Sequence, residues 1–303
     1  MENQRRIVMK LAGDKVIFSF SKDHEPVLRV APGTTLEVET QDCFSNQLRN
    51  PEDTMGQLDW DRLNPATGPI YVEGAEPGDT LKVTIHSIKL NEKGTVCCLE
   101  NEGTIGHMIE GSHIRVVKID GDTAKYLDRF DIPIKKMIGV IGVAPKGAAI
   151  NTGTPGQHGG NMDTILVTEG ATLYFPVAHP GALFAMGDVH AAMGDGEIGV
   201  SGLEIPADVT VTLDVIKGKA PEYPVLENKD SFAILASKPT VDEAISAATE
   251  LMFKFLEPRM DIKKPEIVMF MSLVGNVEIS QVVDPEKTVR FVFPKKYMKV
   301  AEF

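Results

Sequence analysis

Three of the chain's seven histidines and a concentration of acids fall between His158 and Glu204. Asp188 and His190 are two residues apart, so an extended segment projects both to one face. A carboxylate and an imidazole on one face are a workable pair of ligands for zinc or a related divalent ion. Asp195-Gly196-Glu197 adds two acids on a tight turn, and the surrounding glycines permit close backbone approach to a ligand. His158-Gly159-Gly160-Asn161-Met162-Asp163 reads two ways. Its Gly-Gly backbone can present N–H groups to a substrate carbonyl oxygen, as an oxyanion hole does. Equally, it is a turn entering a strand over residues 163–167. Taken singly, each of these residues is well explained as part of a hairpin; their density marks the segment as a functional site.

Other chemistry-bearing residues are weaker candidates. Cys97-Cys98 falls in an apolar strand, where a buried thiol stays protonated and inert. Ser87 beside His86 and Ser112 beside His113 are strand neighbours on opposite faces, so neither pair is a nucleophile and its base by adjacency. No Gly-x-Ser-x-Gly elbow occurs. A Cys-Glu-Lys arrangement of the nitrilase type stays open by residue count alone. The run from Glu39 to Gln47 carries amides and acids straight after a strand, with Asp42 at the mouth of the site as its functional reading and turn chemistry as the plain one.

Strands must position these groups. Residues 6–11 and 15–20 flank Ala12-Gly13-Asp14, a link that suits a hairpin. In residues 80–90, Leu81, Val83 and Ile85 alternate with Lys82, Thr84 and His86. The same pattern returns at 34–40, 163–167, 171–177 and 209–216. Short strands separated by Gly, Pro, Asn and Asp predict sandwich- or barrel-like sheets. No G-x-G-x-x-G both follows a strand and opens a helix, which leaves a dinucleotide fold unsupported. Near the C-terminus, Thr240 and Glu243 form a capping box. Apolar residues then keep helical spacing to Phe255, and Pro265 opens a second helix ending near Gly275. The expected fold class is mainly β with a C-terminal α+β section carrying a helical hairpin on a sheet edge. Approximate divisions are 1–145 (β-rich), 146–220 (β core with the site motifs) and 221–303 (α+β), which a single intertwined domain would blur. Residues 41–76 and 145–162 are long turn-rich loops, where ligand chemistry is expected.

With 31 lysines and arginines against 43 acids, the net charge is −12. No basic cluster dominates any stretch, so a phosphate-tracking nucleic-acid binder is not expected. Three cysteines make neither a disulfide framework nor a C-x-x-C knuckle, and the apolar run after the first two arginines is too short for a signal core. Without an apolar run of membrane-spanning length, a cytoplasmic protein with no membrane partner is expected. A mainly β chain must cover its edge strands, which favours a homodimer.

NPATGPIYVEGAEPGD (64–79), HGGNMD (158–163), GDVHAAMGDGE (187–197), Glu204 in SGLEIP and ISQVVDP (279–285) resemble, in order, the blocks of the acetamidase/formamidase family. The resemblance implies a mainly β, commonly dimeric enzyme that releases ammonia from small amides. It directs attention to Asp163, Asp188, His190, Asp195, Glu197 and Glu204. The reading that follows is hydrolysis of small aliphatic amides through a metal-activated water, with zinc favoured and calcium second. Asp188 and His190 are the first-choice ligands, completed by His158 or Asp163. Glu197, Glu204 and Asp195 are the expected catalytic acids, and Gly159, Gly160, Asn161 and Asp42 the expected substrate-binding residues. The alternatives are metal-free hydrolysis with a carboxylate base, and a small-molecule or metal-binding β protein without turnover.

Overall fold

A computed structural model describes residues 9–298 and 303. The chain is mainly β, as expected, with two α-helices among the described residues, Val241–Leu256 (α1) and Lys264–Val274 (α2). One nine-stranded sheet runs in the order Met9–Leu11, Thr34–Thr40, Ala207–Ile216, Thr80–Leu90, Thr172–Pro176, Val225–Glu227, Ser231–Lys238, Lys287–Pro294 and Asn276–Gln281. It therefore mixes strands from all three expected segments. A second sheet orders Gly159–Asn161, Met137–Gly142, Phe184–His190, Ala66–Val72 and Val16–Ile17, with Leu28–Val30 also paired to Ala66–Val72. A four-stranded sheet of Phe130–Pro133, Thr123–Tyr126, His113–Asp120 and Lys93–Cys98 lies to one side.

Period-two alternation decides which side chains meet. Leu36, Val38, Leu81, Val83, Ile85, Val209 and Val211 leave the nine-stranded sheet for a core shared with Ile70, Ile141, Phe184 and Met186 of the second sheet. Toward the C-terminus the faces divide. Ala233 and Leu235 join that core, while Phe232, Ile234 and Ala236 point the other way, onto Ala244, Ala248, Met252 and Leu256 of α1. Thr240 caps α1 in the expected box with Glu243. The helix thus covers a sheet face where a sheet edge was expected, because the strands it packs on present apolar side chains to both sides.

Two local expectations change. Met9–Leu11 pairs in parallel with Thr34–Thr40, whereas Val16–Ile17 pairs with Ala66–Val72, so the turn between them joins two sheets and closes no hairpin. Part of the first hairpin arm, including Arg6, lies outside the described residues. Residues 163–167 form a turn, not a strand. Asp163 takes a left-handed φ of 38° and the Val167 N–H donates to the Thr164 carbonyl.

The strand Phe184–His190 is buried along its whole length and pairs with Met137–Gly142. Their ladder joins Ile138 to Val189 and Val140 to Gly187, skipping Gly139 and Asp188 between them. Asp188 sits at φ 55°. A Cβ on Gly139 would lie 2.3 Å from Asp163 Oδ1 and 2.5 Å from Asp188 Oδ2, so only glycine leaves room for both carboxylates. Gly139→Ala is expected to displace them at a cost of about 1–3 kcal/mol. Gly147→Ala, whose Cβ meets nothing within 4 Å, is expected to stay within about 0.5 kcal/mol of the parent. Urea unfolding of the two variants makes the comparison.

Candidate active site

Four segments deliver ionisable groups to one buried point. Asp188 and His190 end the strand Phe184–His190, and Asp163 follows Gly159–Asn161. Glu197 closes the turn after Gly194, and Glu204 is bridged by its backbone to Thr95 and His190 just before Ala207–Ile216. His190 Nε2 lies 3.1 Å from Glu204 Oε2, 3.4 Å from Asp188 Oδ1 and 3.8 Å from Asp163 Oδ1. None of the five residues is more than 8% exposed. Asp163, His190 and Glu197 each offer a ligand atom within 4.8 Å of the others, and so do Cys43, Asp188 and Glu204.

The backbone is strained where it carries the acids. Asp163, Asp188 and Glu197 have φ of 38°, 55° and 46°. Left-handed residues other than glycine cost on the order of 1–3 kcal/mol each and persist only where packing over-determines them. Around Glu197 that packing is explicit. The Gly196 N–H donates to the Ser280 carbonyl and the Val282 N–H to the Gly196 carbonyl. Arg290 donates from Nη1 and Nη2 to the two Asp195 oxygens at 2.7 and 2.6 Å, and from Nε to Glu278 at 2.7 Å. Asp195, expected among the catalytic acids, is therefore taken up by Arg290 as a fastener of the turn.

Electrostatics in the cluster are one-sided. Both Asp163 oxygens, Asp188 Oδ1, Glu204 Oε2 and both ring nitrogens of His190 are buried without a hydrogen-bond partner. Burial pushes Glu197 up to about 8, with His190 opposing and Glu204 adding. Burial likewise takes Glu204 to about 7. Asp163 is carried well above the carboxylate range by burial and then by Glu197 and Asp188. Burial alone would lower His190, but Glu204 and Asp188 outweigh it and hold the ring well above its ordinary value. Among the described residues, no lysine or arginine pairs with Asp163, Asp188, Glu197 or Glu204; His190 is the one basic group at ion-pair distance.

The other expected site residues are placed differently. His158 is buried, stands edge-on to Phe20 and borders a separate cavity of about 550 Å³ with Pro145, Gln157 and Pro176. Burial lowers its pKa to about 4, and no carboxylate acts on it. The Gly159 N–H donates to the Gly156 carbonyl, and Gly160 and Asn161 lie in the ladder opposite Ile141 and Val140. Gly159 therefore has no free donor for an oxyanion. Asp42 accepts N–H groups of Phe44 and Asn46 at 3.1 and 2.7 Å and faces Arg49 at 3.3 Å, which fastens the loop carrying Cys43. His86 is exposed and bonded to Thr212, His113 is bonded to the Glu110 carbonyl, and burial pushes the Cys97 thiol up to about 12.

Two residues escaped the reading of the sequence as donors. Cys43 sits beside Asp188 and Glu204. Asp284 lies behind Asp163, its Oδ2 buried without a partner, and burial followed by Asp163 raises its pKa well above the usual range. Asp284 belongs to the ISQVVDP block, so its signal was present; Cys43 had none beyond following a strand. A cavity of about 650 Å³ opens on the cluster through Glu197, Ser201 and Gly202. Gly202 backs His190, where a Cβ would lie 2.4 Å from Nδ1, and Ser201 Oγ is 3.4 Å from Glu204 Oε1.

Comparison with known proteins bears on the family and the fold. The sequence matches the profile of the acetamidase/formamidase family over residues 13–152 and 143–249. A formamidase from Methylophilus methylotrophus is 26% identical over 65% of this chain and 63% of its own. An acetamidase from Mycolicibacterium smegmatis is 26% identical over 66% of this chain and 65% of its own. The chain thus spans less than two thirds of either relative. A crystal structure described as a recombinant predicted acetamidase/formamidase from Thermoanaerobacter tengcongensis superposes with a TM-score of 0.93 at 47% identity, covering 95% of this chain and 98% of that one. An acetamidase structure from Bacillus halodurans gives a TM-score of 0.93 at 41% identity with the same coverage. With its motifs in order along the chain and its fold matched over nearly its whole length, this protein belongs to the acetamidase/formamidase family.

Proposed function

We propose that the protein hydrolyses the C–N bond of small non-peptide amides, releasing ammonia and a carboxylate, at a metal site built around His190. The observation that carries this reading is the set of buried, unpartnered carboxylate oxygens around one imidazole. Buried anions without partners are too costly to leave uncompensated, and a divalent cation is the compensation this donor set fits. Family membership supports the amide as substrate. Asp163, Asp188 and His190 would hold the ion, with Cys43 and Glu204 grouped beside Asp188 as further donors. Imidazole, thiol and carboxylate together favour zinc, and the excess of carboxylates makes calcium second. When bound, such an ion polarises a carbonyl and lowers the pKa of a water toward about 7. Glu197 borders the cavity and is the better placed of the two glutamates to take the water's proton and return it to the leaving ammonia. Arg290 and Asp195 hold the turn that presents it. The free thiols of Cys43, Cys97 and Cys98 accord with a reducing, cytoplasmic setting.

A homodimer belongs to the same reading. Helix α2 exposes Val268, Met269 and Leu273 next to the edge strand Asn276–Gln281, where Val277 and Ile279 are also exposed. Covering that edge in a twofold pair is a common solution. Light scattering is expected to give about twice the 33.0 kDa of one chain, with Leu273→Glu shifted toward monomer. A parent protein that scatters as a monomer at micromolar concentration would refute the dimer.

Elemental analysis of protein purified without a metal-affinity tag is expected to find one or more divalent ions per chain; well under half an equivalent in active protein would overturn the metal site. His190→Ala is expected to lose at least a hundredfold in ammonia release, about 3 kcal/mol of barrier. His86→Ala, at an exposed histidine bonded to Thr212, is expected to keep near-normal turnover and lose no more than about 1 kcal/mol of stability. Both need an amide that the parent turns over and thermal unfolding of each variant. Near-normal turnover in His190→Ala would move the site elsewhere. Failure to hydrolyse any primary amide, with the metal still bound, would make the protein a binder.

A further inference from the structure

Formamide and acetamide have only a handful of heavy atoms, yet the chamber beside Glu197 is about 650 Å³. That is the size range of sites enclosing far larger ligands. Its chemistry is divided. Glu197 and Ser201 form the polar floor next to His190, while Val96, Val117, Tyr126 and Ile132 of the four-stranded sheet form an apolar wall with Leu203. Ile198 borders the same chamber and is 56% exposed. On another side of the cluster, strand Phe184–His190 is buried throughout and Gly139 packs against Asp163 and Asp188.

We propose that this wall receives the hydrocarbon part of the acyl group, so that the preferred substrate is a primary amide with an apolar chain or ring of about four to eight carbons. This inference rests on the amidase reading above and adds its substrate class. An amide has its polar atoms at one end, and the chamber offers Glu197 and Ser201 beside His190 and hydrocarbon from Val96, Val117 and Ile132, with exposed Lys135 also on its border. The carboxamide therefore lies on the floor, where Glu197 reaches the leaving nitrogen, and the hydrocarbon lies against Val96, Val117 and Ile132. The alkyl group belongs to the acyl side because a primary amide's nitrogen is small and polar, as the floor demands. The C–N bond is hydrolysed in the ordinary sense: the water's oxygen joins the carbonyl carbon, its proton passes to Glu197, and the C–N bond breaks as Glu197 returns that proton to the leaving ammonia. Each methylene placed on the wall is worth about fourfold in binding, so a few methylenes together outweigh any advantage of the smallest amides.

The test measures kcat/KM for ammonia release from acetamide, butyramide, hexanamide and phenylacetamide, and amine release from N-hexylacetamide, using the full-length metal-loaded protein. The ratio for hexanamide over acetamide is expected to reach about a hundred. Val96→Phe and Ile132→Phe, which fill the chamber from a partly exposed wall, are expected to lower that ratio at least tenfold. Ile132→Ala is expected to favour phenylacetamide over hexanamide relative to the parent, a readout that does not depend on the larger substitutions folding. Falling kcat/KM with chain length would overturn the inference while leaving the amidase reading intact. Preference for N-hexylacetamide would overturn the assignment to the acyl side. No release from any amide of the series would sink the amidase reading itself.

Discussion

The burial of like charge around His190 is the constraint on which the rest of the structure turns. Asp163, Asp188, Glu197 and Glu204 are held in the interior within reach of one imidazole, and Asp284 adds to the field from behind. Two carboxylates at such separations cannot both stay ionised in a low-dielectric site without a cation or protons between them. Among the described residues, none of the four pairs with a lysine or arginine, and both Asp163 oxygens, Asp188 Oδ1 and Glu204 Oε2 have no hydrogen-bond partner. The proposed metal ion would supply the balancing positive charge from outside the chain. Arg290, nearly inaccessible to solvent, is spent on Asp195 and Glu278.

Holding such a cluster requires rigidity on every side. Three acids sit at left-handed φ, and the ladder between Met137–Gly142 and Phe184–His190 opens at Gly139, which leaves space for Asp163 and Asp188. The core supplies the restraint. Side chains of two sheets lock the strand that carries Asp188 and His190, and the α1-covered end of the large sheet carries Ser280 and Arg290, which grip the turn of Glu197. Asp42 does the corresponding work for Cys43 by accepting the amides of its own loop. Several polar residues near the centre are thus fasteners, and their chemistry is consumed in positioning.

The resulting asymmetry shapes the surroundings. One side of the cluster is closed by backbone, and the other opens into a chamber whose wall comes from the small four-stranded sheet. That sheet contributes no acid to the cluster. Its role follows from alternation: Val96, Val117, Tyr126 and Ile132 turn one apolar face toward the chamber and toward the core beside it.

Much of this was legible in the residues. The alternation in 80–90 and 209–216 named the sheet strands, the Thr240–Glu243 box named α1, and the two-residue spacing of Asp188 and His190 brought the pair together. Those features are local, because strand period, helix caps and i, i+2 faces depend only on neighbours along the chain. What the sequence could not decide was which distant segments share a point. Asp195 and Glu197 look equivalent on one short turn, yet Arg290, almost a hundred residues later, takes the first and leaves the second for the cluster. His158 and Asp163 look like one motif, yet His158 borders a separate cavity while Asp163 joins His190 and Glu197. Cys43 and Asp284 join the site only because strands far apart in sequence pair in the same sheets. Donor types and the β periodicity that carries them are local properties of the chain; the order of strands in the sheets sets which donors meet, since long-range pairing depends on the packing of the whole core and not on any local run of residues.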